Sequence, residues 1–262
     1  MPKFAANLSM MFNEVPFLSR FAAAANAGFT GVEYLFPYEF PANVIAAELN
    51  ANALKNVLFN LPPGDWAAGE RGTTCLPGRE EEFRVGVATA IEYAKVLKTP
   101  RLHAMAGVLP QGVSPADAKA TYVTNLKFAA AELEKHGLTL LIEAINTRDI
   151  PGFFLNTQAQ AFDILQEVNA KNLMMQMDLY HMQIMEGDLA IKLSKYASQC
   201  GHVQVAGVPK RNEPNIGEVH YPFLYEYLDA IGYDGWIGCE YRPAGDTVEG
   251  LGWFKQLSTP NR

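Results

Sequence analysis

The feature that most constrains this chain is a rhythm. Short β-rich runs recur along it, each followed by a longer segment of helical spacing and then a Gly, Pro or Asn break. Eight such runs stand out: FAAN (4–7), GVEYLF (31–36), NVLFN (56–60), RLHAMA (101–106), TLLIEAI (139–145), LMMQMD (173–178), HVQVA (202–206) and GWIGCE (235–240). Their starts lie roughly 25 to 45 residues apart, the length of one strand, one helix and two loops.

The intervening segments fit that reading. PFLSRFAAAANAGF places Phe17, Phe21 and Ala25 on one helical face and stops at Gly28, a residue suited to a helix C-terminus. TNLKFAAAELEKHG, rich in strong helix formers, stops at Gly137, and YPFLYEYLDAIGYDG ends in the same way. Eight alternating units in 262 residues, with no linker or composition shift, predict an α/β chain folded as a single (β/α)8 TIM barrel over residues 1–262. The long loop at 61–83 follows the third strand, which puts it on the C-terminal face, where such barrels build their sites. No Gly-rich phosphate fingerprint follows the first strand, so a dinucleotide site has no support.

Composition removes several functions. A formal charge of -7 argues against a broad nucleic-acid footprint, which needs clustered Lys and Arg. No apolar run approaches the roughly 18 residues of a membrane span, and MPKFAANLSMMF lacks a signal-peptide cleavage pattern. Cys75, Cys200 and Cys239 form no C-x-x-C pair and leave an odd count, which fits a reducing cytoplasm. A homo-oligomer is compatible with the sequence and not specified by it.

Within this frame, four strand ends carry side chains that are odd for a buried strand: Glu143, Asp178, Gln204 and Glu240. Any one of the acids alone reads as a helix cap, an ion-pair partner or a solvated loop residue. Together, on strands five to eight, they read as a metal site, because clustered buried carboxylates without a cation cost several kcal/mol per unpaired charge. An oxygen-only donor set suits one divalent ion, Mg2+ or Mn2+, better than zinc.

Of five histidines, His181 follows Asp178 as D-L-Y-H and can turn toward the same site. His103, His136 and His220 read as core or rim residues, and His202 stays open between the two roles. Arg71, Arg79 and Arg211 fall in expected βα loops, where an arginine can hold a carboxylate through two parallel hydrogen bonds or simply solvate the surface. No G-x-S-x-G elbow or cysteine nucleophile motif supports covalent hydrolysis.

The motifs FAANLSMMF, NLPPGDWAAGERG, LPGREEEF, LIEAIN with DIPGF, MDLYHMQ, HVQVAG and GWIGCEYRP together resemble the hydroxypyruvate isomerase family of the xylose isomerase-like barrels, over nearly the whole chain. MPKFAANLSMMF and EGLGWF look like its 2-oxotetronate isomerase branch, and INTRDIPGF like its hydroxypyruvate isomerase branch. The resemblance implies a divalent ion held by Glu143, Asp178, Gln204 and Glu240, with Glu143 and Glu240 as the acid/base pair. His181 and Arg211 match positions that contact substrate oxygens in related ketose 3-epimerases. Arg71 or Arg211 would anchor the carboxylate of a small sugar-acid substrate, and Trp66 either covers that substrate or packs for stability.

The implied reaction is an aldose–ketose type isomerisation, hydroxypyruvate to tartronate semialdehyde through a cis-enediolate. The alternative is 2-oxotetronate isomerisation (2-dehydrotetronate to 3-dehydrotetronate), with ketose 3-epimerisation ranked behind both. A metal-dependent DNA repair endonuclease would need more ligating histidines and a basic groove, and a non-catalytic sugar-acid binder is the remaining class.

Overall fold

The structure, a computed structural model, describes residues 2–258; of the expected 1–262 span, residues 1 and 259–262 lie outside it. All eight expected strands form: β1 (Lys3–Asn7), β2 (Gly31–Tyr34), β3 (Lys55–Asn60), β4 (Arg101–His103), β5 (Thr139–Glu143), β6 (Leu173–Asp178), β7 (Cys200–Val205) and β8 (Trp236–Cys239). Each pairs in parallel with the next, and β1 pairs with β8, so the sheet closes into a barrel. The strands at 31–36, 101–106 and 139–145 are shorter than expected. Their last residues peel away into mouth loops, as where Leu35 N donates to Ser9 Oγ instead of to a strand carbonyl.

Helices return the chain between strands: α1 (Phe17–Asn26), α2 (Ala42–Ala51), α3 (Glu80–Leu97), α4 (Pro115–Glu134), α5 (Gln158–Val168), α6 (Leu179–Met185), α7 (Leu189–Lys195), α8 (Tyr221–Ala230) and α9 (Gly252–Ser258). Their ends follow capping chemistry. Ser114 and Thr157 accept from Asp117 N and Gln160 N, satisfying donors that the first helical turn leaves free. Gly28, at φ +100°, ends the α1 segment in a conformation that costs a glycine little.

Two apolar regions hold the barrel. The larger lies between the sheet and its helices, where Phe4 meets Tyr225 and Trp253 edge-on and Phe29 stacks on Phe254 at 4.3 Å. The smaller fills the barrel interior with Ala5, Val57, Leu58 and Leu141, and Met174 and Trp236 pack against it. Gly31 has no Cβ because the Trp236 ring lies over it. The interior also holds a polar layer of Glu33, His103, Gln176 and His202, all buried. Barrel interiors are normally dominated by branched aliphatics, so this layer is a departure that calls for a function.

Candidate active site at the barrel mouth

The C-terminal ends of the strands open into a cavity of about 900 Å3, whose wall includes Glu143, His181, Arg211, Glu240, Trp66 and Arg71. Strand geometry places the acids. Glu143 is the last residue of β5, Asp178 the last of β6, and Glu240 follows β8 directly. Gln204 sits beside Asp178 in the sheet register, and Gln176 beside Glu143.

One ligand atom each from Glu143, Asp178, His181 and Glu240 comes within 4.8 Å of the others. All four residues are buried. Asp178 divides its carboxylate: Oδ1 accepts from Tyr180 N at 2.8 Å, capping α6, while Oδ2 has no hydrogen-bond partner. Glu143 Oε1 is likewise without one. Orphaned buried carboxylate oxygens are rare because they forfeit hydration without replacement. Burial pushes Glu143 well above the usual carboxylate range, with the charges of Glu240 and Asp178 adding to it. Burial likewise raises Asp178 to about 6 and Glu240 to about 8, against the opposing pull of Arg211.

Such a cluster fits a divalent ion: its free atoms are hard oxygens, close enough to share one cation and short of protein donors. Gln204 stands one amide away. Its Oε1 accepts from Gln176 Nε2 at 2.5 Å, and the same Nε2 donates to Glu143 Oε2 at 3.0 Å.

His181 is oriented by Asn146. The Asn146 Oδ1 accepts from Asp149 N at 2.7 Å, which turns its Nδ2 toward His181 Nδ1 at 2.6 Å. The ring therefore accepts at Nδ1 and carries its hydrogen on Nε2, 3.5 Å from Asp178 Oδ2 and 3.8 Å from Glu143 Oε1. Arg211 Nη2 lies 3.3 Å from the same Nε2, a longer contact that the Asn146 bond outweighs. Burial, then the Arg211 charge, holds His181 well below its ordinary pKa, so the ring is a neutral donor.

Arg211 enters from the loop after β7 in a left-handed conformation, φ 59°. It donates to Glu240 Oε2 at 2.6 Å, lies 3.6 Å from Asp178 Oδ2, and packs over the Tyr180 ring. Trp66 and Arg71 belong to the long β3–α3 loop. The Arg71 guanidinium lies 3.9 Å from the Trp66 ring centre and donates to the carbonyls of Trp66 and Glu70, while Trp66 meets Phe36 edge-on. Arg79, from the same loop, is tied to Glu70 and Glu82 and does not line the cavity.

Three polar residues on strands one, two and four escape a reading confined to the ends of strands five to eight. His103, expected as a satisfied core or rim residue, lines the cavity with Nε2 unpartnered, while its Nδ1 faces Asn60 Oδ1 at 3.2 Å. Burial and the nearby His202 lower its pKa to about 3. Asn7 donates to both Glu33 and Glu240. Glu33, fully buried, takes up His202. The available signal was the inward position of Glu33 within GVEYLF, where a carboxylate has no solvent to meet.

A closed parallel barrel with a buried acid cluster at its C-terminal mouth defines a class of barrel enzymes, and comparison with known proteins places this chain within it. A family model described as xylose isomerase-like TIM barrel matches residues 21–257, and the chain belongs to that family. It is 56% identical over 255 residues to a 2-oxo-tetronate isomerase of Cupriavidus necator, covering 97% of this chain and 98% of the relative. A hydroxypyruvate isomerase of Escherichia coli is 48% identical over 254 residues, at 97% and 98% coverage. A solved structure described as an AP endonuclease, family 2, from Brucella melitensis matches at 52% identity and a TM-score of 0.96, over 98% of this chain and 99% of that one. The isomerase names of the curated relatives bear out the expected enzyme class.

Proposed function

We propose that this chain isomerises a small 2-oxo-3-hydroxy acid with the help of one divalent ion, Mg2+ or Mn2+. The observation that carries the reading is the buried acid cluster, with unpartnered oxygens on Glu143 and Asp178 and raised pKa values on all three acids. The ligand set is Glu143, Asp178, Gln204 and Glu240. His181 stays outside it because its Nε2 carries a hydrogen instead of a free lone pair. When bound, the ion would act as a Lewis acid that stabilises negative charge on the substrate oxygens.

Hydroxypyruvate and 2-oxotetronate share a carboxylate, a C2 carbonyl and a C3 hydroxyl, and differ only in a hydroxymethyl group on C3. One set of residues therefore serves both. Glu143 or Glu240, as carboxylate, removes the C3 proton, and the electron pair left behind forms the C2–C3 double bond of a cis-enediolate. A proton returns to C2 as the C3 oxygen becomes the new carbonyl, while the former C3 hydroxyl proton ends on O2. In this reading His181 Nε2–H donates to a developing oxygen charge, and Arg71 or Arg211 holds the substrate carboxylate by paired hydrogen bonds.

The four-carbon acid leads as substrate because the relative named for it is 56% identical, against 48% for the one named for hydroxypyruvate. The test is turnover of both acids by protein stripped of metal and reloaded with Mg2+ or Mn2+. Failure on both overturns the reading. The description of the Brucella structure suggests DNA cleavage instead, so metal-dependent scission of duplex DNA carrying an abasic site would favour that class. The net charge of -7 weighs against it.

A further inference from the structure

Beneath the acid cluster lies a second set of buried polar groups that the chemistry above does not use. Glu33, on β2, is wholly buried, and three donors converge on its two oxygens. Gln204 Nε2 at 2.7 Å and Asn7 Nδ2 at 3.1 Å reach Oε1, while His202 Nε2 at 2.7 Å reaches Oε2. The barrel is cut to admit this carboxylate: a Cβ at residue 238 would fall on both of its oxygens, so the β8 strand carries Gly238 there.

We propose that Glu33 is the positioning residue of the metal site, acting through Gln204. The warrant is the asymmetry of an amide. A side-chain amide presents an acceptor on one side and donors on the other, and only its hydrogen-bond partners decide which side faces where. Glu33 Oε1 accepts from the Gln204 NH2, so the Gln204 oxygen must point the other way, where it accepts from Gln176. Gln176 passes the order on by donating to Gln204 Oε1 and to Glu143 Oε2. The same Glu33 oxygen holds Asn7, whose NH2 also reaches Glu240 Oε1 at 3.3 Å. One buried carboxylate thus orients Gln204 directly, reaches Glu240 through one amide, Asn7, and reaches Glu143 through two, Gln204 and Gln176. A glutamine turned the wrong way offers a cation only hydrogens.

The proposal rests on Gln204 being a metal ligand, and the experiment separates the two. Mn2+ affinity of metal-stripped protein is measured by electron paramagnetic resonance of the free ion for wild type, E33M, Q204A and the double variant, with circular dichroism as the control for folding. Glu33→Met removes the acceptor at similar volume. E33M is expected to weaken Mn2+ binding about 10- to 100-fold, the usual effect of losing a residue that orients a ligand. The double variant is expected to lose far less than the product of the two single losses, because with the amide gone Glu33 keeps only its longer route to Glu240, through Asn7 at 3.3 Å. If E33M does not fold, Glu33→Asp withdraws the acceptor by one methylene and enters the same cycle. Loss of affinity in Q204A with none in the Glu33 variant, or effects that multiply, overturns the positioning role alone. Wild-type affinity in Q204A overturns the ligand set and the proposal with it.

Discussion

Asn146 Nδ2 lies 2.6 Å from His181 Nδ1, and that bond decides which nitrogen of the ring faces the acids. A donor at Nε2 serves a substrate oxygen and not a cation. His181→Gln is therefore expected to lower kcat/KM roughly 10- to 100-fold, the value of a hydrogen bond to a charged group, while Mn2+ affinity stays within about twofold of wild type. Equilibrium binding on the same preparation checks it; a collapse of metal affinity would make His181 a ligand after all.

Glu143 and Glu240 are expected to be individually indispensable. Glu143→Gln and Glu240→Gln keep shape and remove the base, so turnover should fall at least about 10²- to 10⁴-fold with the barrel still folded. Full activity in either purified variant sinks the assignment of roles.

Stability of the metal-free protein should fall as pH rises. Burial raises Asp178 from an ordinary 3.8 to about 6, and Glu240 from 4.5 to about 8. The folded chain then binds more protons than the unfolded one between the ordinary and raised values, so unfolding free energy declines over that window. Below about pH 6.5 the buried His103 and His181, whose pKa values are lowered, oppose this trend, so the melting temperature in EDTA is expected to drop between pH 7 and pH 8, on the order of a few degrees. Saturating Mn2+ should oppose the drop, since it binds the ionised acids. A melting temperature in EDTA that climbs over this range contradicts the cluster's electrostatics.

Arg71 sits over the Trp66 ring with its guanidinium held by two backbone carbonyls. Lysine cannot reproduce a planar fork. Arg71→Lys should raise KM or lower kcat for a total loss of about tenfold in kcat/KM, with hydroxypyruvate and 2-oxotetronate affected alike because both carry the carboxylate. Steady-state kinetics on the two acids reads this directly, and an unchanged kcat/KM removes Arg71 from the site.

Far from the mouth, Gly31 leaves room for the Trp236 ring in the barrel floor. Gly31→Ala should cost about 1–3 kcal/mol through overpacking and leave Mn2+ affinity intact, measured by denaturant unfolding beside a binding titration. An unchanged unfolding midpoint would mean that the floor yields without strain.

The eight strands were legible because period and punctuation act over a few residues: FAAN, LMMQMD and GWIGCE are apolar runs of strand length, bounded by turns. Glu143, Asp178 and Glu240, which meet at the mouth, stand out for the same local reason, an acid at or near the end of an apolar run, whereas Gln204 lies inside one. Which side chains meet inside the barrel is another matter. Glu33 and His202 stand 169 residues apart, and nothing near either announces the other. Closure of the sheet, with register shifts at Val32/Glu33 and Met175/Gln176, decides which inward faces share a level. Arg211 reaches Glu240 only because its loop takes a left-handed turn, and Asn146 sets the His181 tautomer from a neighbouring loop. The sequence by itself determined the strands and the acids at their ends, since local periodicity encodes both. Orientation of the amides, the tautomer of His181 and the buried carboxylate beneath the site were decided by tertiary structure, because a hydrogen bond across a barrel depends on distances that only closure defines.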